Sequence, residues 1–347
     1  MDNEKEIRKA ELIITPVARR YLTGFESTDG YLLLVDDKKI FYIDGRYHEE
    51  ACRQCPDIDV RLLKNARTQL ADGFKEFGID SVSVETEITV EQLEQLKEYF
   101  PDVEFIPNQK LCDSIRDMRA VKTFDEIENI KKAQRCAERA FQNILNFIRV
   151  GVSEKEIAAE LDYYMRKAGA ERSSFDTIAV SGARGSLPHG VPSYKTVKPF
   201  EFITMDFGAV VNGYCSDMTR TVAVGGVTEE MEIVYNTVLE AQQKAIETAA
   251  PGVEMSKVDA AARNVIKNAG YGEYFTHSTG HGVGLEIHEA PTVSTRSTGV
   301  LKVGNIITDE PGIYVPGKHG VRIEDMLLIT ENGCEDLTKC DKSLIIL

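Results

Sequence analysis

Four carboxylates and one imidazole sit in short segments between residues 205 and 326: Asp206 in MDFG, Asp217 in SDMTR, His281 in TGHGVG, Glu310 in DEPGIY and Glu324 in VRIEDM. Together they are the ligand set of a pair of divalent cations. Without cations, four carboxylates within a few ångströms repel one another, and some would have to stay protonated. Two M²⁺ ions cancel four carboxylate charges, so a fold that gathers these residues calls for metal. The chain is thereby constrained to an architecture in which separate strands deliver acidic side chains to one point.

Strand parity decides whether they can meet. Phe202–Val211 and Tyr214–Val224 are apolar runs joined by Asn212-Gly213, a strong short hairpin signal. A two-residue loop pairs Val211 with Tyr214 and sets Asp206 opposite Thr219. Asp217 is then the diagonal neighbour of Asp206, on the same face because side chains alternate, about 7–8 Å away at Cα. Cys215 shares that parity and reads as a small buried side chain. A second hairpin runs Ile306–Val315 and Val321–Ile329 through a turn containing Pro316-Gly317. A three-residue loop at 316–318 pairs Glu310 directly with Glu324, and a five-residue loop makes them diagonal. A two- or four-residue loop would send them to opposite faces, so the shared site requires an odd loop. His281 lies in STGHGVGLEIHE, with glycines on both sides that let the backbone turn and approach closely. His277 precedes it by four residues and His288 follows by seven.

The rest of the chain frames these hairpins. A length of 347 residues fits two domains on a prior of roughly 100–200 residues each. Tyr31–Val35 and Ile40–Ile43 read as strands joined by Asp36-Asp37-Lys38. A helix is expected from near Arg46, and Ser81–Glu85 and Val103–Ile106 alternate with the helical pattern Val90–Tyr99. That alternation predicts a small sheet with flanking helices. A boundary falls in Asn108–Lys122, which holds six charged residues and no strong turn or strand signal. Helices follow from Thr123, with Glu126 at capping-box spacing, to Ile148, and from Ser153, with Glu156 at the same spacing, to Gly169. Two more cover roughly 229–249 and 257–268. The fold class is α+β, with domains at 1–121 and 122–347.

Composition excludes several classes. A formal net charge of −15 and a pI near 5.0 argue against nucleic acid, whose phosphates want Lys and Arg. No apolar run approaches the ~20 residues that span a bilayer, and the N-terminus is too charged for a signal peptide. A cytoplasmic location is the expectation. Seven scattered cysteines do not make a disulfide framework. Cys52 and Cys55 form a CxxC with no second pair for a structural zinc, and read as buried or half-buried thiols on a helix.

The motifs and their order resemble the pita-bread metallopeptidases, specifically the Xaa-Pro aminopeptidase and Xaa-Pro dipeptidase (prolidase) branch. YLTGFESTDGYLLL and YIDGRYHEEA look like that family's creatinase-type N-terminal domain. LPHGVPS, MDFGAVVNGYCSDMTRT, HSTGHGVGLEIHEAP, DEPGIY and GVRIED look like its catalytic domain. The resemblance implies a small α/β creatinase-type domain followed by a pita-bread domain, a curved antiparallel sheet with flanking helices. It implies two metal ions on Asp206, Asp217, His281, Glu310 and Glu324, with Asp217 and Glu324 bridging. His189 and His288 match histidines that contact substrate or the developing oxyanion. Arg322 matches an arginine near the site, and His277 and Tyr314 match residues lining the pocket. The ions are expected to be Mn²⁺, which suits oxygen-rich ligands with one imidazole, with Co²⁺ or Zn²⁺ as alternatives. The resemblance also implies a homodimer.

The implied activity is hydrolysis of the bond between an N-terminal residue and proline in short peptides, by a metal-activated hydroxide. An X-Pro bond has no N–H to grip, and a binuclear centre needs none. Glu310 would carry the proton to the leaving nitrogen, and His288 would stabilise the oxyanion. An Xaa-Pro aminopeptidase is the leading expectation. An Xaa-Pro dipeptidase on the same site is the alternative. Metal-free binding proteins and creatinase-type enzymes of this fold lack the full ligand set that is present here. One departure stands out. Asp309 occupies a position that is usually apolar in this family. Strand alternation points it away from the metals toward the core, where an unpaired carboxylate is costly.

Overall fold

The computed structural model describes residues 10–347. The chain divides into two compact units between Met118 and Arg119.

The first unit contains strands β1 (Ala10–Ile13), β2 (Tyr31–Val35), β3 (Lys38–Asp44), β4 (Asp59–Leu63), β5 (Ser81–Val84) and β6 (Glu104–Pro107). Helices α1 (Pro16–Thr23), α2 (His48–Gln54), α3 (Ala66–Phe77) and α4 (Val90–Tyr99) are interleaved with them, and α5 (Gln109–Ala120) follows. The six strands form one mixed sheet in the order β4-β3-β2-β1-β5-β6. Its central strands are apolar on both faces because helices cover both faces. Leu33, Ile40 and Tyr42 pack with Leu70 and Phe74 of α3, whereas Leu32, Phe41 and Ile43 pack with Ala51, Leu111 and Ile115. The β2–β3 turn is one residue tighter than expected. Val35 pairs with Lys38, leaving Asp36-Asp37 as the loop, with Asp36 at φ +51°. Asn108–Lys122, featureless in sequence, is largely α5. The cysteine expectation needs correcting: Cys55 is buried, but Cys52 is exposed on α2, because its position on a short helix faces solvent.

The second unit opens with α6 (Phe124–Ile144) and α7 (Glu154–Lys167). Both start with closed capping boxes: Thr123 N donates to Glu126 at 2.8 Å, and Ser153 N to Glu156 at 2.8 Å. Next come β7 (Arg172–Ser173), β8 (Ile178–Ser181), β9 (Glu201–Phe207), β10 (Ala209–Val211), β11 (Tyr214–Cys215) and β12 (Met218–Val224). Helices α8 (Glu229–Thr248) and α9 (Met255–Asn268) follow. The remaining strands are β13 (Gly280–Gly282), β14 (Glu289–Val293), β15 (Ile306–Asp309), β16 (Gly312–Val315), β17 (His319–Arg322), β18 (Asp325–Thr330) and β19 (Gly333–Asp336). All their ladders are antiparallel. A core beneath α6 and α7 takes Ile203, Met205, Phe207, Met218 and Val222, and a second beneath α8 and α9 takes Ile307, Val321, Ile323 and Leu327. Among the described residues no helix is long and apolar enough to cross a membrane.

The hairpin registers follow from these patterns. Val211 pairs with Tyr214 across Asn212-Gly213, both at positive φ, and Asp206 pairs with Thr219. Because Ile203, Met205 and Phe207 enter the α6–α7 core, Asp206 must face the other way. In the second hairpin Val315 pairs with His319, so the loop is the three residues Pro316–Lys318. Glu310 and Glu324 fall opposite each other where the ladder is interrupted, between the Asp309–Asp325 and Gly312–Arg322 pairs.

Asp309 is wholly buried, and neither of its carboxylate oxygens has a hydrogen-bond partner among the described residues. Its strand neighbour Asp325 is well served: Arg220 reaches Oδ1 at 2.7 Å, and Gln242 at 2.6 Å and Lys342 reach Oδ2. Lys342 also holds Asp336 at 2.9 Å. Burial, reinforced by the charge of Asp325, pushes the Asp309 carboxyl well above its usual range. Its folded pKa exceeds its unfolded one, so its effect on stability is most favourable below the ordinary carboxylate pKa and worsens as pH rises. Asp309→Val should therefore stabilise the protein by roughly 1–3 kcal/mol at pH 8. The gain should shrink toward pH 5, as read by denaturant melts at both values. A destabilised variant at pH 8 would show that the carboxyl is satisfied.

Candidate metal centre

Each of the five predicted residues reaches the same cavity, which has a volume of about 490 Å³. Asp206 comes from β9, Asp217 from the irregular step between β11 and β12, and His281 from β13. Glu310 follows β15, and Glu324 links β17 to β18. One ligand atom each from Asp217, His281 and Glu324 lie within 4.8 Å of one another. His281 Nε2 stands 3.6 Å from Asp217 Oδ2 and 3.3 Å from Glu310 Oε1. His281 Nδ1 lies 3.1 Å from Gly282 O, to which only a protonated Nδ1 can donate. Nε2 of the neutral ring therefore turns a lone pair toward two carboxylate oxygens.

Surrounding donors hold the carboxylates. Thr219 Oγ1 donates to Glu324 Oε2 at 2.6 Å and accepts from Arg322 Nε at 3.0 Å. Arg322 Nη2 donates to Asp206 Oδ2 at 2.6 Å, and Nη1 to the Pro188 carbonyl at 3.2 Å and Tyr314 Oη at 2.8 Å. Thr308 Oγ1 accepts from His281 N and donates to Glu310 Oε1, both at 3.1 Å. Buried Asp259 of α9 accepts from Thr279 N at 3.1 Å and Oγ1 at 2.9 Å. Thr279 O in turn receives Glu310 N at 2.8 Å. Thr219, Thr308 and Asp259 carried no functional signal in the sequence. The hairpin register placed Thr219 beside Asp206, but nothing in the sequence linked Asp259 to residues 20 positions on.

The electrostatics point to cations. Burial raises the Asp217 and Glu324 carboxyls well above their usual range, and neighbouring carboxylates add to it. Burial pushes Glu310 up to about 8 and lowers His281. Asp206 Oδ1 and Asp217 Oδ1 are buried with no hydrogen-bond partner among the described residues. A cluster made of acceptors facing acceptors fits divalent cations and little else.

His189 and His288 are exposed on the cavity wall, and the His288 ring meets His281 edge-on at 4.3 Å between centroids. His277 is also on the wall. Burial, with Arg322 nearby, takes it down to about 4. Its Nδ1 donates to Ser278 O at 2.8 Å, so Nε2 accepts from Tyr314 Oη at 2.8 Å. Tyr314 lies behind the wall rather than on it, between His277 and Arg322. Cys215 is buried, its thiol 3.9 Å from Leu285 O.

A pH signature follows for metal-free protein. Glu310 holds its proton more tightly folded than unfolded, so it favours the fold most below the ordinary carboxylate pKa. That support is lost as pH climbs toward about 8. Glu310→Gln mimics the protonated form. In chelator-treated protein, the variant's melting temperature should match wild type at pH 5 and exceed it by several degrees at pH 8. A difference independent of pH would contradict the burial-driven shift.

Comparison with known proteins agrees with this geometry. Residues 128–331 match metallopeptidase family M24, and residues 4–119 match the creatinase/prolidase N-terminal domain. An Xaa-Pro dipeptidase of Pyrococcus horikoshii is 43% identical over 94% of this chain and 91% of its own length. The structure of an Xaa-Pro dipeptidase from Bacillus anthracis superposes with a TM-score of 0.94 at 44% identity, covering 98% of this chain and 95% of that one. An X-Pro aminopeptidase from Thermotoga maritima gives 0.93 at 38% identity, with 98% of each chain covered. With its creatinase-type N-terminal domain, its pita-bread fold and its cluster of metal-ready acceptors, the chain belongs to metallopeptidase family M24.

Proposed function

We propose that this metallopeptidase hydrolyses the bond between an N-terminal residue and proline, with Xaa-Pro dipeptides as its first substrates. The acceptor-only cluster inside the cavity carries the reading. The several relatives named Xaa-Pro dipeptidase at about 40% identity support the dipeptide preference. Asp206, Asp217, His281, Glu310 and Glu324 would hold two divalent ions, with Mn²⁺ the best match to four carboxylates and one imidazole. Such ions supply Lewis acidity and a nucleophile at neutral pH.

The chain's own residues do the rest. The leaving proline nitrogen has no hydrogen and must gain a proton to depart. The Glu310 carboxylate, facing the cavity, is the carrier: it takes the proton that the attacking water loses on bonding to the carbonyl carbon and gives it to the nitrogen as the C–N bond breaks. His288 and His189 stand on the wall where their N–H groups can meet the charge that develops on the scissile oxygen. Arg322 braces Asp206 and, through Thr219, Glu324, keeping both oxygens turned inward.

One observation favours a second reading, an aminopeptidase acting on longer peptides. The carboxylate of a dipeptide wants a cationic partner. Among the described residues lining the cavity, Arg322 is the one Lys or Arg, and it is already committed to Asp206, Thr219, Tyr314 and Pro188.

Metal-stripped protein, reloaded with Mn²⁺, should cleave Xaa-Pro peptides and be inactive before reloading. A higher kcat/KM on Xaa-Pro than on Xaa-Pro-Yaa supports the dipeptidase, and the reverse order the aminopeptidase. Silence on both with every metal tried removes the activity. Glu310→Gln should lower kcat by about 10²-fold or more, the usual contribution of a positioned acid–base group. Unimpaired turnover would take Glu310 out of the proton transfer.

A further inference from the structure

One wall of the cavity is a loop that hydrophobic packing does not hold. After a single 3₁₀ turn at Gly182–Ser186, the chain from Leu187 to Lys195 forms neither helix nor strand. Its apolar side chains point outward: Leu187, Val191 and Tyr194 are 50%, 74% and 80% exposed. Yet this loop carries His189 and lines the cavity from Pro188 to Pro192.

Arg322 holds the middle of the loop through the Pro188 carbonyl at 3.2 Å, and outside the cavity one carboxylate joins the loop's two ends. Glu154, the first residue of α7, is completely buried. Its Oε1 accepts from Ser181 N at 2.8 Å and Ser181 Oγ at 3.0 Å, where the loop departs. Its Oε2 accepts from Arg184 Nε at 2.9 Å, and from Ser193 N at 3.0 Å and Oγ at 2.7 Å, where the loop returns. Arg184 then reaches across to the Val191 carbonyl at 2.5 Å. Lys195 closes the base, from Ser181 Oγ at 2.8 Å to Glu201 Oε2 at 2.6 Å. A buried carboxylate with five donors is well compensated. A loop with few buried apolar contacts is otherwise drawn from the mobile end of a structure.

We propose that Glu154 is the positioning residue of the substrate-facing loop Gly182–Pro192, pinning both its ends so that His189 and the Pro188–Pro192 wall stand fixed over the metal cluster. The effect on catalysis rests on the proposed Xaa-Pro peptidase activity; the effect on the loop does not.

Glu154→Gln is the test. It keeps the size but removes the charge and turns one acceptor oxygen into an amide NH2, which can accept neither from Ser181 on one side nor from Arg184 and Ser193 on the other. Hydrogen exchange of amides 182–193 should speed up about tenfold, as expected for losing a charge-assisted hydrogen bond, while exchange in α8 and β18 stays unchanged. kcat/KM for an Xaa-Pro peptide should fall about tenfold, through KM because the loop lines the substrate cavity and through kcat because His189 meets the developing charge, with the Kd for Mn²⁺ nearly unmoved. In a His189→Ala background, Glu154→Gln should add much less to this loss, because both act through one loop. Should Glu154→Gln fail to fold, Ser193→Ala should give the same changes at smaller size. Unchanged loop exchange, an equal kcat/KM effect with His189 removed, or a matching loss of Mn²⁺ affinity would each overturn the proposal. A wild type inactive on Xaa-Pro peptides would sink the activity alone, and the exchange measurement would still decide the loop.

Discussion

Mutual repulsion among buried carboxylates is the constraint around which the second unit is built. Asp206, Asp217, Glu310 and Glu324 face one cavity, where burial and then the neighbouring carboxylates make Asp217 and Glu324 harder to ionise. The fold tolerates this because alternate residues on the same strands are anchored in cores on the far side. Ile203, Met205 and Phe207 lock β9, and Met218 and Val222 lock β12. Those anchors give Asp206 and Asp217 no other face to occupy. The stability gained by apolar burial outweighs the local conflict. The conflict is itself the binding energy available to a cation.

Two buried arginines manage the remaining charge, in different ways. Arg322 touches the cluster directly and divides its donors between Asp206, Thr219, Tyr314 and a loop carbonyl. Arg220 works from behind. It binds the Glu324 carbonyl at 2.7 Å, the Asp325 carboxylate at 2.7 Å and the carbonyls of Cys340 and Asp341. It thereby ties β12 to the strand junction that presents Glu324. Breaking such a pair is far costlier than never having built it, because the partner is left charged and buried. Asp309 shows the contrast: it lies next to the same network yet receives no hydrogen bond from it.

The polar supports fall into a pattern. Thr219, Thr308, Asp259 and Glu154 all act on a backbone or side chain distant in sequence, Thr308 through the His281 amide. Single polar residues in apolar strands or at helix starts are ordinary in sequence, and their roles come from what lies opposite. Glu154 reads as a favourable acidic residue in the first turn of a helix. Only the return of residues 181–193 to that turn makes it an anchor.

Much of the fold was legible in the chain itself. Asn212-Gly213 set one register and the odd loop at Pro316–Lys318 the other, because two-residue periodicity turns a loop length into a choice of face. The capping pairs Thr123/Glu126 and Ser153/Glu156 marked helix starts through purely local hydrogen bonds. The five acidic and imidazole positions could be named from type and spacing. Strand β1, strand β4 and helices α1, α3 and α5 were not legible, since their short or charged segments are stabilised by partners far along the chain. The sequence by itself thus determined which residues form hairpins, which faces their acids share and which chemistry those acids demand. Only the tertiary structure decided that His281 meets them through its Nε2, that Tyr314 stands behind the wall, that Asp309 is buried without a donor and that Glu154 holds a loop. Each depends on distances between segments that no local pattern encodes.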